Sequence, residues 1–269
     1  LNGLSILLDC ANGATYSVAP KVFSELGAKV ETIGSSPDGI NINQNCGSTN
    51  PDFLKEEIIK GSYDLGIAFD GDGDRILIVN SEGDILDGDD ILYILSNNLT
   101  ADSGVVGTLM TNKALEIYFE KNDIPFLRAD VGDKYVLQRL LEESWVLGGE
   151  PSGHIICLDS APTGDAIIAA LNLLDAIKDN NFSVKKSLEG FKKFPQTLIN
   201  LKVNNPNKII VSDKFWSEVT RIEKQLGQNG RVLIRPSGTE PLIRIMVESD
   251  KSGASHDFCN ALADLAQTI

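Results

Sequence analysis

Asp70, Asp72 and Asp74 alternate with Gly71 and Gly73 directly after the apolar run Leu65–Phe69, and Arg75 follows at once. Three carboxylates within five positions repel one another, so a cation is the natural reason to keep them together. The glycines let the chain curl until the oxygens converge, and hard oxygen donors of this kind suit Mg²⁺ or Ca²⁺. The spacing also meets the first three ligand positions of an EF-hand. That loop, however, needs Gly at its sixth position and Glu at its twelfth, where this chain has Arg75 and Ser81. The cluster ends a strand, the place where ligand sites gather in α/β sheets. A guanidinium beside a cation site suits a phosphoryl group, whose charge both can neutralise. Pairing of Arg75 with the aspartates themselves is the simpler alternative.

A second stretch, Gly148-Gly149-Glu150-Pro151-Ser152-Gly153-His154, sets polar side chains at alternate positions between glycines. Glu150 and Ser152 could hold the hydroxyls of a polyol, and His154 could move a proton. A third, Arg235-Pro236-Ser237-Gly238-Thr239-Glu240-Pro241 with Arg244 beyond it, offers backbone N–H groups and two hydroxyls between two arginines. That set suits a phosphate monoester. The loop Asp9–Ala14 joins a strand to a helix but lacks the spaced glycines of a dinucleotide fingerprint, and a structural role is expected for it.

The elements that must carry these loops follow from periodicity. Leu4–Asp9 reads as a strand, Ser17–Leu26 as a helix stopped by Gly27, and Lys29–Ile33 as a second strand, which together make a βαβ unit. Strands are expected at Asp64–Phe69, Ile76–Asn80 and Ile85-Leu86, then a helix over Gly88–Asn97. The pattern restarts with strands at Val105–Leu109, Phe126–Ala129, Val146-Leu147 and Ile155–Leu158, interleaved with helices over Asn112–Lys121, Lys134–Glu143 and Gly164–Ile177. The remainder reads strand (Leu198–Val203), helix (Asp213–Leu226), two strands (Arg231–Arg235, Leu242–Glu248) and helix (His256–Ile269). The expected fold class is α/β: two consecutive α/β/α layered domains with mixed sheets, residues 1–97 and 98–194, then a smaller α+β domain, residues 195–269.

Bulk properties narrow the function classes. A net charge of −14 argues against nucleic acid or an anionic membrane as partner. Residues 1–194 hold 15 Lys and Arg against 30 Asp and Glu, whereas residues 195–269 hold 9 against 8, so the carboxy-terminal segment is the better place for an anionic ligand. Cys10, Cys46, Cys157 and Cys259 are scattered, which suits free structural thiols in a reducing cytoplasm. No basic, apolar leader is present, and a cytoplasmic location is expected. The chain begins at Leu1 and enters a strand at once, so part of a longer protein is expected.

In this order, DGDGDR, GGEPSGH and RPSGTEP resemble the metal, sugar and phosphate loops of the α-D-phosphohexomutase superfamily. The likeness is closer to its bacterial branch acting on glucosamine phosphates, through DCANGATY at Asp9–Tyr16, GININQNCGSTNP at Gly39–Pro51, DGDDIL at Asp87–Leu92, VGDKYV at Val131–Val136 and TGDAI at Thr163–Ile167. Pro151 and Lys134 stand where many members of that branch have Gln and Arg. The resemblance implies a phosphorylated hexosamine as substrate, with Mg²⁺ on Asp70, Asp72 and Asp74, and Arg75 and His154 at the reacting end. It further implies Glu150 and Ser152 on the sugar, and Arg235, Ser237, Gly238, Thr239 and Arg244 on the phosphate. It implies domains two to four of the family's four, with the amino-terminal phosphoserine domain missing and the chain inactive by itself.

Overall fold

The structure is a computed structural model that describes residues 1–237 and 240–269. Its described residues divide into two compact units: Leu1–Thr111 with Tyr118–Phe191, and Asn112–Ile117 with Lys192–Ile269.

The first unit opens with β1 (Ser5–Asp9), α1 (Ala19–Glu25), β2 (Lys29–Ile33), α2 (Asp52–Lys60), β3 (Leu65–Phe69), β4 (Ile76–Asn80) and β5 (Ile85–Leu86). These strands form one mixed sheet in the order β2-β1-β3-β4-β5. The β1 strand runs parallel to β2 and β3, while β3, β4 and β5 are joined antiparallel. All of β3 is buried, which explains its unbroken apolar run. The α2 helix was not expected from sequence. Leu54 and Ile58 lie buried four residues apart on its inner side, but Phe53 and Ile59 stand exposed on the other, so its apolar pattern has no single face. Those two inner side chains press on Gly66, where a β-carbon would lie 3.0 Å from each.

The same unit continues with α3 (Gly88–Ser96), β6 (Val105–Thr108), α4 (Lys113–Lys121), β7 (Phe126–Ala129), α5 (Asp133–Glu143), β8 (Leu147–Gly149), β9 (Ile155–Cys157), α6 (Ala166–Ile177) and α7 (Val184–Ser187), the first residues of α4 belonging to the second unit. Its second sheet has the order β7-β6-β8-β9, parallel except for the last pair. The α3 helix is buried along its whole length and packs on β8 and α6. It starts at a reciprocal cap: Asp87 accepts from the Asp89 and Asp90 N–H groups, and Asp90 accepts from the Asp87 N–H.

The second unit adds β10 (Gln196–Lys202), α8 (Pro206–Ile210), α9 (Asp213–Leu226), β11 (Gly230–Pro236), β12 (Leu242–Ser249) and α10 (Ala254–Gln267). Its sheet is antiparallel in the order β10-β12-β11. Phe215, Val219, Ile222 and Leu226 recur on one side of α9 and enter the core with Ile243, Ile245 and Val247 of β12. Each such burial contributes roughly 1.5–3 kcal/mol relative to exposure. The α/β fold class, with helices and strands interleaved around three sheets, is as the sequence led one to expect. Among the described residues no helix is long and apolar enough to cross a membrane.

Candidate active site

Asp70–Arg75 bridges the antiparallel pair β3 and β4, whose last register position is Phe69 opposite Ile76. Asp70, 1% exposed, is the hub of this loop. Its Oδ1 accepts from the N–H groups of Gly73, Asp74 and Arg75, each at 3.1 Å. Its Oδ2 accepts from both Nε and Nη2 of Arg75 at 2.8 Å. Burial pushes the Asp70 carboxyl up, but the Arg75 backbone N–H, the Arg75 side chain and its charge outweigh burial and hold it below the ordinary value. Asp74 behaves oppositely. Burial first, then the charge of Asp70, raises it above the ordinary value, against the pull of His154 and Arg75.

The three aspartates are not equivalent, although Asp74 stands near enough to Asp70 to feel its charge. Asp70 turns onto Arg75, Asp72 is exposed, and Asp74 faces His154. Among the described residues no three carboxylate, thiol or imidazole groups stand close enough to hold a cation. The donor chemistry still fits a hard divalent ion, because Asp74 Oδ1 is buried without a hydrogen-bond donor, 3.8 Å from Arg75 Nε. With Arg75 as the counter-ion of Asp70, the pairing considered from sequence as the simpler alternative is what the loop adopts.

The turn Gly149–Ile155 joins β8 to β9 and is sewn to the acidic loop through the backbone. Arg75 and His154 form an antiparallel bridge, and the Ile76 N–H donates to Gly153 O at 3.0 Å. Gly88 N–H reaches Pro151 O and Ala166 N–H reaches Gly73 O. Gly153 has φ +93°, and a β-carbon there would collide with the carbonyl of Ile76. This stitching places His154 Nδ1 3.4 Å from Asp74 Oδ2. Its Nε2 is buried without a hydrogen bond, 3.9 Å from Asp133 Oδ2. Glu150 accepts from the Gly132 N–H at 2.9 Å, and Ser152 is exposed. Asp70, Asp74, Arg75, His154 and Glu150 thus share one end of the first unit.

In the second unit, Arg235 of β11 lies directly across from Arg244 of β12, so two like charges share one face of the sheet. Neither has an ion-pair partner among the described residues. Ser237 donates its N–H to Leu242 O at 2.9 Å and accepts from the Glu240 N–H at 3.3 Å. Gly238 and Thr239, the other two expected phosphate contacts, lie outside the described residues.

The structural role expected of the Asp9–Ala14 loop takes a form that sequence reasoning did not specify, the bracing of the acidic loop. The buried Asp9 carboxylate, at the end of β1, accepts from Ala11 N–H at 3.0 Å and Gly47 N–H at 2.7 Å, holding two loops together. Burial raises its pKa despite both hydrogen bonds. Asn43 N–H donates to Ala11 O between those two loops, which hold the acidic loop and the strand end before it through Ala14 N–H to Gly71 O and Ser48 N–H to Phe69 O, all at 2.8 Å. Gly13 packs so tightly on Gly71 that a β-carbon would strike its backbone. The readable signal was an aspartate closing a buried strand, where an unpaired carboxylate is expensive and must find donors.

Three family models match most of the chain. "Phosphoglucomutase/phosphomannomutase, alpha/beta/alpha domain II" matches residues 1–83, domain III of the same description matches residues 87–194, and the C-terminal domain matches residues 198–265. A phosphoglucosamine mutase of Acinetobacter baumannii (strain AYE) is 50% identical over 273 residues, covering 99% of this chain and 61% of the relative. One from Pseudomonas aeruginosa (strain UCBPP-PA14) is 46% identical over 272 residues, covering 100% and 61%. The chain thus spans about 61% of the length of these curated relatives. Among solved structures, Aspergillus fumigatus N-acetylphosphoglucosamine mutase in complex with GlcNAc-6P and magnesium superposes with TM-score 0.78 at 21% identity, covering 99% of this chain and 66% of that one. A Burkholderia thailandensis phosphoglucomutase/phosphomannomutase family protein gives 0.81 at 22%, covering 98% and 60%. At these identities the superpositions speak for the fold. With three consecutive domain models accounting for nearly all of its residues, the chain belongs to the phosphoglucomutase/phosphomannomutase family of α-D-phosphohexomutases.

Proposed function

We propose that these residues form the metal-, sugar- and phosphate-binding parts of a cytoplasmic phosphoglucosamine mutase, which interconverts glucosamine 6-phosphate and glucosamine 1-phosphate through a phosphoserine and a bisphosphate intermediate. The observation that carries this reading is the juxtaposition of Asp70, Asp74, Arg75 and His154 by two loops sharing backbone hydrogen bonds. The names of the 46–50% identical relatives support the choice of sugar.

Asp70, Asp72 and Asp74 are the residues proposed to hold Mg²⁺. When bound, that ion would neutralise and orient the oxygens of the phosphoryl group. Arg75 is the built-in counter-ion of Asp70, and its release frees a guanidinium for the transferring group and a carboxylate for the cation. His154, with Nδ1 toward Asp74, presents Nε2 as the base that takes a proton from the accepting sugar hydroxyl and returns it on the reverse step. Glu150 and Ser152 hold sugar hydroxyls, and Arg235, Ser237, Gly238, Thr239 and Arg244 hold the phosphate that stays in place. The phosphoserine is proposed to come from outside these 269 residues, so the chain alone is expected to bind sugar phosphate without turning it over.

The family description favours one competing reading, a phosphoglucomutase or phosphomannomutase. Assay of the full-length protein on glucosamine, glucose and mannose phosphates separates the two. The expected kcat/KM for the glucosamine substrate exceeds the others by at least about tenfold, the scale of a well-read polar substituent. A glucosamine value below either of the others would overturn the proposal.

A further inference from the structure

Buried polar side-chain atoms are almost always hydrogen-bonded, so each exception asks for an explanation. Around the acidic loop the exceptions gather. Besides Asp74 Oδ1 and His154 Nε2, three neutral oxygens are buried there with no hydrogen-bond donor: Thr15 Oγ1, Asn43 Oδ1 and Ser48 Oγ. All three belong to the loops that Asp9 braces, and each side chain or its backbone touches the acidic loop. The Thr15 methyl lies 2.8 Å from where a β-carbon of Gly73 would be, and the Asn43 amide nitrogen 2.7 Å from where one of Gly71 would be. Ser48 is anchored by its N–H on Phe69 O at 2.8 Å, one residue before Asp70. Thr15 is only 3% exposed, and its hydroxyl leans on the Cys10 thiol, a weak acceptor.

We infer that Thr15, Asn43 and Ser48 are positioning residues that accept hydrogen bonds from the water ligands of the divalent cation held by the acidic loop. The inference rests on the metal role proposed above for Asp70, Asp72 and Asp74. A small, reluctantly dehydrated ion such as Mg²⁺ keeps several waters when few carboxylates reach it. Those waters are donors in fixed directions and need neutral acceptors, because further carboxylates would add to the repulsion of three aspartates within five positions. Hydroxyl and amide oxygens supply acceptance without charge. Their burial without partners in the protein is the arrangement expected of groups whose partners arrive with the ion.

The test is Mn²⁺ binding to the full-length protein, followed by electron paramagnetic resonance, with water-proton relaxation to count the waters on the bound ion. Thr15→Val and Ser48→Ala are shape-conserving, and Asn43→Gly keeps the left-handed backbone that this residue adopts at φ +58°. Each is expected to weaken Mn²⁺ about tenfold, as loss of groups orienting a metal's ligands does, with the water count unchanged. Thr15→Ser, which restores a hydroxyl, should recover most of the affinity. In chelator, Thr15→Val should melt within about 2 °C of the parent, because its hydroxyl gives up only a weak sulfur acceptor. Unchanged Mn²⁺ affinity in all three variants beside a parent that binds would overturn this inference alone. A gain of one water per variant would overturn it in favour of direct ligation. A parent that binds no Mn²⁺ would remove the metal role of the aspartates and this inference together.

Discussion

The acidic loop and the arginine pair of β11 and β12 handle concentrated charge in opposite ways. Asp70 is enclosed, satisfied by three N–H groups and a guanidinium from its own loop. Arg235 and Arg244 face each other across a strand pair, and neither is paired with a carboxylate among the described residues. The contrast is sharpened four residues away on the same strands, where Arg231 meets the fully buried Glu248 at 2.8 Å and Glu248 also accepts the Lys113 N–H. One row of the sheet is neutralised for stability. The other is left cationic, and like charges directly opposite in a sheet are a liability unless an anion joins them. The fold therefore supplies the partner in one row and leaves it out of the other, as the phosphate role proposed for Arg235 and Arg244 requires.

Several variants would break or sharpen that distinction. Asp72→Asn in the full-length protein should lower sugar-phosphate turnover by on the order of 10²–10³, the range seen when one electrostatic stabiliser of a transition state is lost; near-normal turnover would separate the acidic loop from catalysis. Glu248→Ala leaves Arg231 half-enclosed without its carboxylate and should destabilise the second unit by about 3–5 kcal/mol in urea unfolding. Gly13→Ala forces a methyl onto the Gly71 backbone and should cost about 1–3 kcal/mol, with unfolding midpoints falling accordingly. Arg244→Ala should leave the unfolding midpoint within about 0.5 kcal/mol while raising KM roughly tenfold through the loss of one charge-assisted contact. An equal loss of stability in Arg244→Ala and Glu248→Ala would erase the distinction between the two rows.

The smallest effect is a pH dependence. Asp70, held below the ordinary aspartate value of 3.8, adds stability that is present above that pH and is lost as pH falls through its folded value. Asp74 is raised above 3.8, so its ionised form opposes folding at neutral pH, and that opposition fades as pH falls toward 3.8. Metal-free Asp74→Asn should therefore be slightly more stable than the parent at pH 7, with the gain closing below pH 4 in thermal melts. A gain that grows on acidification would reverse the assignment.

The strands and long helices were legible because burial imposes period: β3 reads apolar throughout, and α9 shows its inward residues at helical spacing. The α2 helix was not, since its exposed Phe53 and Ile59 hide the inner pair Leu54 and Ile58. For the site, glycine-spaced loops announced themselves as places where backbone must approach something. What they approach was hidden, because Gly13 on Gly71 and Gly153 on Ile76 are contacts between residues distant in sequence. Asp9 escaped for the same reason, since its donors Ala11 and Gly47 are brought together only by the fold. Pairing of Arg75 with an aspartate was legible as an alternative, but the alternation does not say which of the three carboxylates the guanidinium would take.

The backbone bridge between Arg75 and His154 limits how the two loops it joins can vary. Because Ile76 and Gly153 are hydrogen-bonded at the same point, residues inserted into either loop would pull apart the groups on the other. Change here is thereby confined to exchanging side chains such as Pro151 and Ser152 on a turn of fixed length, and variation in loop size is pushed to other edges of the first unit.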